Sequence, residues 1–390
     1  MTYLPTADHD ELRVVVRQLA QERIAPRAAQ IDDAAEFPHD LRELLAQQDL
    51  LGTCFEEKHG GTGLDSIAQA ILVEEIARAD ATTSLIPIVQ KLGALPIIQA
   101  GTDEQKDRYL PRLASGEWLI AFALTEAAAG SDVAANRMRA VPDDDHYVLN
   151  GSKRFITHGS LADVLTVFAL TDPEAGGRKG MSCFIVETET RGFAAPRVEH
   201  KMGIRGSPTA ELTFDDVRVP ERNRLGAEGD GFRIAMATLD RSRLSIAAQA
   251  VGIAQGALDA SVSYAAERQQ FGQRVADFQG IQWMLADMAT QTEAARQLTY
   301  AAAARVDSKA ADLPYWTSSA KLVAGDTAMR VTTDAVQVLG GYGYITEYPV
   351  ERMMRDAKIT QLYEGTQQIQ RLIVARQLLQ RAGVAHRGPQ

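Results

Sequence analysis

The chain has 390 residues, of which 45% are hydrophobic and 24% are charged, an ordinary globular composition that excludes a fibrous or largely disordered protein. Chains of this length usually divide into two or three domains, because single hydrophobic cores stop growing near this size. With 41 Lys plus Arg against 51 Asp plus Glu, the formal charge is −10. This overall negative charge does not favour binding to nucleic acid.

The two cysteines, Cys54 and Cys183, belong to no CxxC or Cys/His cluster. The sequence therefore suggests neither a disulfide framework nor a zinc site, and we expect no metal in the functional site. Residues 1–11 lack a basic segment followed by an apolar one, and no apolar run approaches the roughly 20 residues of a membrane span. We expect a cytoplasmic protein that binds neither nucleic acid nor a membrane.

Residues 1–119 are expected to form an N-terminal helical domain. Apolar residues recur at helical spacing in two early segments, Leu12, Val15, Val16, Leu19 and then Leu41, Leu44, Leu45. A further helix is predicted from Ile67 to Ala79. Thr102 followed by Gln105 has the spacing of a capping box, which predicts another helix start.

Residues 120–226 are expected to form an antiparallel, barrel-like β domain. Short β-branched or aromatic runs between turn residues predict strands at 146–149, 164–170, 181–187 and 210–214. Asn150-Gly151 is typical of a type I′ turn, because both residues tolerate positive φ. It therefore predicts a hairpin between Tyr147–Leu149 and Phe155–Thr157.

Helical periodicity returns after Gly231 and predicts a four-helix bundle over residues 227–390. The first helix is rich in Ala and Gly, which lets helices pack closely. The others are predicted at about 275–307, 315–339 and 366–381. The predicted fold class is α+β, with a helical domain, an antiparallel β-barrel-like domain and a four-helix bundle in that order.

Glycine-rich segments do not match the common nucleotide-binding loops. Gly60–Gly63 lacks the Gly-Lys-Ser/Thr ending of a P-loop and follows no predicted strand. No GxGxxG pattern stands between a strand and a helix, so a Rossmann domain is not supported. Any dinucleotide must be held in another way.

Short motifs follow one another along the chain: Phe122-Ala123-Leu124-Thr125-Glu126, Ala129-Gly130-Ser131-Asp132, Lys201–Ser207, Glu267–Gly272, Gln337–Gly341, Arg355–Ile359 and Tyr363-Glu364-Gly365-Thr366. Each would be weak alone, but their order and the α, β, α layout cover nearly the whole chain. Together they resemble the successive signatures of the acyl-CoA dehydrogenases. The resemblance implies a fatty acyl-CoA dehydrogenase that uses FAD.

The resemblance implies that FAD lies between the β domain and the bundle. The residues implied beside the isoalloxazine ring are Phe122, Leu124, Thr125, Phe155, Ile156 and Thr157, with further cofactor contacts at Gly130, Ser131, Thr366 and Gln368. A second set is implied to bind the adenine and diphosphate of FAD in a neighbouring subunit: Arg268, Phe271, Gln279, Gln337, Gly340 and Gly341. Taken singly, the first set could be ordinary strand residues and the glycine pair a helix C-cap.

The implied acyl-CoA contacts are Ser131, Asp240, Arg243, Tyr363 and Gly365. Asp240 and Arg243 stand three residues apart and share one helix face. Their spacing alone favours a solvent-exposed ion pair worth about 0.2 to 0.5 kcal/mol. The family context favours the substrate contact instead.

Glu364 is the implied catalytic base. An α C–H of a thioester is a very weak acid, so its removal needs a desolvated carboxylate and a polarised carbonyl. The resemblance assigns that polarisation to the Glu364 backbone N–H and a ribityl hydroxyl, with hydride passing to flavin N5. By position alone, Glu364 would more often cap the helix that follows it.

Three features of the sequence bear on flavin and substrate. Many relatives have Trp-Ile-Thr-Asn where this chain has Phe155–His158, which leaves a smaller aromatic cover, and we assign His158 no catalytic role. Ser242 stands where isovaleryl and long-chain relatives carry the base. Ser84 stands where glutaryl-CoA relatives have an Arg, so a neutral short-to-medium acyl chain is expected, with a short 2-methyl-branched chain second.

The leading hypothesis is a homotetrameric dehydrogenase that passes electrons to an electron-transferring flavoprotein. An acyl-CoA oxidase that reduces oxygen is the nearest alternative among enzymes, and peroxide production would distinguish it. A non-catalytic acyl-CoA-binding protein is the alternative from another class. Such a protein would not need the Glu364 carboxylate.

Overall fold

The computed structural model describes residues 3–384, so the predicted domain limits at residues 1 and 390 lie outside the described residues. The α-helices are α1 Ala7–Leu19, α2 Ala28–Ala34, α3 His39–Gln47, α4 Ser66–Ala79, α5 Ala81–Ala100, α6 Asp103–Ala114, α7 Gly176–Gly180, α8 Gly231–Glu267, α9 Gln279–Asp307, α10 Leu313–Leu339, α11 Val350–Ile359 and α12 Gln367–Arg381. The strands are β1 Ile120–Ala123, β2 Arg139–Asp143, β3 His146–Thr157, β4 Val164–Leu170, β5 Met181–Glu187, β6 Phe193–Val198, β7 Thr209–Pro220, β8 Arg224–Leu225, β9 Gln269–Gln270 and β10 Gln273–Arg274. This order confirms the predicted sequence of helices, a sheet and helices.

The N-terminal helices begin where their capping residues predict. Thr102 and Gln105 form the expected capping box of α6. Helix α5 was not predicted, and Asp80 caps it by accepting from the Thr83 N–H at 2.8 Å. By length and composition α5 could cross a membrane, so the expectation that no apolar run reaches that length is wrong. However, 83% of its apolar window is buried in the protein, as in the core helix of a globular fold.

The eight-stranded sheet has the order β6-β7-β3-β2-β4-β5-β8, and β1 pairs with β4. Most neighbours are antiparallel, as expected, but β1 runs parallel to β4, with Ile120 opposite Val164. Strand β2 also meets β4 in parallel, through Arg139 and Leu170. Because β1 enters directly from the helical domain, no hairpin forces it to run antiparallel.

The hairpin predicted at Asn150-Gly151 is wrong. Both residues lie inside β3, which pairs with β7 on either side of them. The register shifts between Leu149 and Gly151, Gly151 has φ 144°, and the Asn150 side chain accepts from the Asp216 N–H at 2.9 Å. The pair therefore forms a β-bulge, which uses the same backbone freedom as a turn.

The C-terminal bundle contains the four predicted helices as α8, α9, α10 and α12, together with α11, which was not predicted. Helix α11 binds the Lys201–Ser207 loop. Asp356 accepts from the Ile204 N–H, and Arg355 donates to the Met202 carbonyl at 3.1 Å. Arg355 also pairs with Asp32 at 2.6 Å, so this contact joins all three parts of the chain.

Candidate active site

The loop between α11 and α12 presents Glu364 in an unusual backbone conformation. Glu364 has φ 56° and Gly365 has φ 92°, so two successive residues are left-handed. A Cβ at position 365 would lie 2.7 Å from the Gln370 amide nitrogen, which favours glycine there. Thr366 is the N-cap of α12, accepting from the Ile369 N–H at 3.4 Å. The capping interpretation of Glu364 is therefore wrong.

The Glu364 carboxylate instead contacts α8, where the Ser242 hydroxyl donates to it. Burial raises the pKa of Glu364, while the Ser242 hydrogen bond and the charges of Arg243 and Lys321 lower it. A carboxylate in this environment holds a proton more tightly than an ordinary surface glutamate. That property suits a general base.

Lys321 of α10 supports the same loop, and the sequence analysis missed it. Its Nζ donates to the Gly365 carbonyl at 2.7 Å, while the Gln370 amide donates to the Glu364 carbonyl at 3.1 Å. Burial lowers the pKa of Lys321 to about 7. The sequence did offer a sign of this role, because Lys321 is a charged residue among the small buried residues of α10, such as Ala320 and Ala324.

Tyr363, which precedes Glu364, belongs to a network of uncharged side chains. Its hydroxyl donates to the Gln249 side-chain oxygen, and the Gln249 amide donates to the Ser84 hydroxyl at 2.9 Å. Gln249 and Ser84 are fully buried. Ser84, selected from the sequence for its bearing on substrate choice, therefore lies two hydrogen bonds from the residue beside Glu364.

Asp240 and Arg243 form the expected ion pair on α8, but it is not solvent-exposed. The Arg243 side chain is only 4% exposed and that of Asp240 is 26% exposed. The Arg243 Nε is buried and has no hydrogen-bond partner among the described residues. A buried donor without a partner is costly, so this pair is better suited to binding a polar ligand than to surface stability.

In the β domain, the two segments predicted beside the flavin lie side by side. The Arg154 N–H donates to the Thr125 carbonyl at 2.8 Å, and the buried Lys153 ammonium donates to the Leu124 carbonyl at 3.1 Å. Phe155 has φ 59° and presents its ring at the surface, 59% exposed. The other predicted residues here range from buried Leu124 and Ile156, through partly buried Phe122, Thr125 and Thr157, to exposed Gly130 and Ser131.

The residues predicted to bind the adenine and diphosphate lie apart from Glu364, near the other ends of α8 and α10. Arg268, Gly340 and Gly341 line one cleft of about 510 Å³ together with Tyr264 and Tyr342. A Cβ on either glycine would meet no atom within 4 Å, and Arg268 stacks on Tyr342 without a salt bridge to any described residue. An unpaired guanidinium, open backbone and aromatic rings fit a diphosphate and an adenine. Phe271, Gln279 and Gln337 do not line the cleft, but they are exposed at sequence positions close to residues that do. Thr366 and Gln368, by contrast, follow Glu364 in the sequence.

His158 is buried, and its Nε2 lies 3.0 Å from the Ser207 hydroxyl. Its ring also packs edge-on against Phe37, with centroids 5.1 Å apart. Burial and the nearby Lys201 lower the pKa of His158 to about 3, so the imidazole is neutral at physiological pH. These contacts describe a structural histidine.

Comparison with known proteins places these features in one family. Models of the acyl-CoA dehydrogenase N-terminal, middle and C-terminal domains match residues 6–117, 121–217 and 229–379. Probable acyl-CoA dehydrogenase FadE25 of Mycobacterium tuberculosis is 49% identical over 95% of both chains. Butyryl-CoA dehydrogenase from Megasphaera elsdenii is 44% identical, with a TM-score of 0.94 over 97% of this chain and 100% of its own.

A further solved structure is described as an electron transferring flavoprotein of Acidaminococcus fermentans, studied for flavin-based electron bifurcation. One of its chains is 46% identical to this protein and covers 97% of it, with all of that chain matched. The TM-score is 0.95. Likeness at this level extends to all three parts of the fold.

Proposed function

The chain belongs to the acyl-CoA dehydrogenase family, and from that premise we propose that it converts a short-to-medium-chain acyl-CoA to the trans-2-enoyl-CoA with Glu364 as base. The observation that carries the proposal is the partly buried Glu364 carboxylate, which accepts from Ser242 and faces the charges of Arg243 and Lys321. Desaturation removes a proton from the α-carbon and a hydride from the β-carbon. Glu364 takes the proton.

Removing the α-proton also requires stabilisation of the negative charge that develops on the thioester oxygen. The backbone N–H of Glu364 donates to no group among residues 3–384, so it is free to bind that oxygen. The carbonyls of Glu364 and Gly365 are engaged by Gln370 and Lys321, which fixes the loop. One residue thus supplies both the base and the oxyanion donor.

FAD is the proposed cofactor, and when bound it accepts the hydride. The β-domain segments around Thr125 and Phe155 would hold the flavin ring, beside the loop of Thr366. The cleft of Arg268 and Gly340-Gly341 would bind the adenine and diphosphate. Because that cleft contains none of the residues around Glu364, each cofactor would span two subunits, as a homotetramer allows.

A neutral acyl chain is proposed because the network beside the base carries no cation. Ser84, Gln249 and Tyr363 are joined to one another by hydrogen bonds, and none of the three side chains carries a charge. A distal substrate carboxylate would therefore lose its hydration without gaining a partner. The likeness to a butyryl-CoA dehydrogenase supports a short chain.

The remaining contacts and partners follow from the same family. Asp240, Arg243 and Ser131 would hold the CoA portion, with Tyr363 and Gly365 against the acyl group. The proposed electron acceptor is an electron-transferring flavoprotein in the cytoplasm. The likeness to a chain in an electron-transferring flavoprotein structure supports that partner.

Replacing the base should separate binding from chemistry. We expect Glu364→Gln to retain FAD and acyl-CoA binding and to lose flavin reduction, because an amide keeps the shape but cannot take the proton. Stopped-flow bleaching of the flavin by butyryl-CoA measures this step. Glu189→Gln, at an exposed carboxylate between β5 and β6, is the control and should bleach like the parent. Rapid bleaching of Glu364→Gln would remove Glu364 from the role of base.

The shared cofactor site predicts a joint loss of FAD and assembly. Arg268→Ala should lower FAD occupancy and weaken the oligomer together, because a charge-assisted contact to diphosphate contributes about 1.5 to 3 kcal/mol. Flavin absorbance per chain and sedimentation velocity measure the two effects. Arg330→Ala, at an exposed position of α10, is the matched control. A stable Arg268→Ala oligomer with full FAD content contradicts a site shared between subunits.

Substrate choice can be tested with a panel of thioesters. We expect kcat/KM to be highest for butyryl-CoA to octanoyl-CoA, with a short 2-methyl-branched acyl-CoA next and palmitoyl-CoA lower. Isovaleryl-CoA and glutaryl-CoA should be poor, since Ser242 is not a base and Ser84 is not a cation. Preference for isovaleryl-CoA would show that the inference from Ser242 is wrong, and preference for glutaryl-CoA would do the same for Ser84.

A further inference from the structure

Lys321 stands out among the buried groups to which the reaction assigns no role. Its side chain is fully buried in α10, yet it forms no direct salt bridge with any described residue. Its hydrogen-bond acceptors are neutral, the Gly365 carbonyl at 2.7 Å and the Gln367 side-chain oxygen at 3.3 Å. The other fully buried lysine, Lys153, differs because it pairs directly with Glu126 at 2.8 Å.

The packing of α10 places Lys321 against the loop that carries Glu364. Gly325, one turn along the helix, allows this approach, since a Cβ there would lie 3.0 Å from the Gln367 amide and 3.1 Å from the Thr360 carbonyl. Gln367 in turn donates to the Leu322 carbonyl at 2.8 Å. The start of α12 and the segment before Glu364 are therefore both held against α10.

The charged groups that face Lys321 are Glu364 from the loop, Arg243 from α8 and Asp326 from its own helix. Glu364 and Asp326 favour the ammonium form, whereas burial and Arg243 oppose it. The influence is mutual, because the Lys321 charge favours the ionised form of Glu364. Burying a cation without a direct carboxylate partner costs free energy of folding, unless its charge stabilises a nearby anion.

We propose that Lys321 is a positioning residue for the base, which fixes the left-handed Glu364-Gly365 turn through the Gly365 carbonyl and supplies positive charge that keeps the Glu364 carboxylate ionised. This inference rests on the proposed role of Glu364. Lys321 contacts the loop from the side of the helix bundle through backbone oxygen, so it acts on the substrate only through Glu364.

The test isolates proton removal from hydride transfer. 3-Thiaoctanoyl-CoA has sulfur at the β position, so it has no β-hydride to lose, but its α-hydrogens can still exchange with solvent. Loss of the α-methylene proton signal in D₂O, followed by NMR with the holoenzyme across a pH series, reports on the base alone. The ascending limb of the exchange rate with pH gives an apparent pKa of Glu364 in the complex, coupled to the titration of Lys321.

Removing the Lys321 charge should raise the pKa of Glu364. We expect Lys321→Met to move the ascending limb upward by about one pH unit, with exchange about tenfold slower below the parent midpoint. Lys321→Gln should shift the limb in the same direction and replaces the Met variant if that does not fold. Lys321→Arg, which keeps the charge, should return the limb towards the parent position. Lys358→Met removes an ammonium that, within residues 3–384, hydrogen-bonds only to Gln361, and it should leave the limb unchanged.

Two outcomes separate this inference from the proposed function. If Glu364→Gln abolishes exchange but Lys321→Met keeps the parent midpoint, the role of Lys321 is overturned and Glu364 remains the base. If Glu364→Gln exchanges as fast as the parent, the proposed function fails first, and the role of Lys321 fails with it.

Discussion

The site depends on keeping a carboxylate ionised where water solvates it poorly. Burial favours the protonated form of Glu364, and a protonated carboxyl group cannot accept a proton from a substrate. The Ser242 hydroxyl and the charges of Arg243 and Lys321 oppose that effect. Two bundle helices, α8 and α10, carry these groups, so the placement of the proposed base follows from how closely those helices pack around one loop.

Close packing in the bundle comes from its small residues. A Cβ at Gly252 of α8 would lie 2.3 Å from the Glu74 carbonyl of α4, and one at Gly325 would crowd the loop before α12. The Lys201–Ser207 loop also packs closely on α11, where Asp356 accepts from the Ile204 N–H and a Cβ at Gly203 would lie 2.5 Å from the Arg355 backbone. The site is thus held by rigid elements from both the sheet and the bundle, which keeps catalytic geometry precise.

Local patterns in the sequence predicted most of the helices but only the four strands β3, β4, β5 and β7, because periodicity and capping are properties of neighbouring residues. The same local patterns failed at Asn150-Gly151, since this bulge has Gly151 at φ 144° and a type I′ turn would also use positive φ there. Local patterns also favoured Glu364 as a helix cap. In the structure its hydrogen-bond partner is Ser242, which lies 122 residues away in the sequence. Lys321 was missed for the same reason, because its acceptor is the distant Gly365 carbonyl.

Whether Glu364 reaches the α-carbon of a bound substrate decides whether it can act as the base. A crystal structure with a bound, unreactive acyl-CoA would measure the distance from a Glu364 carboxylate oxygen to the ligand α-carbon. The account predicts about 3 to 3.5 Å, with the thioester oxygen accepting from the Glu364 N–H and Ser242 still donating to the carboxylate. An α-carbon that faced another side chain, with Glu364 out of reach, would contradict it.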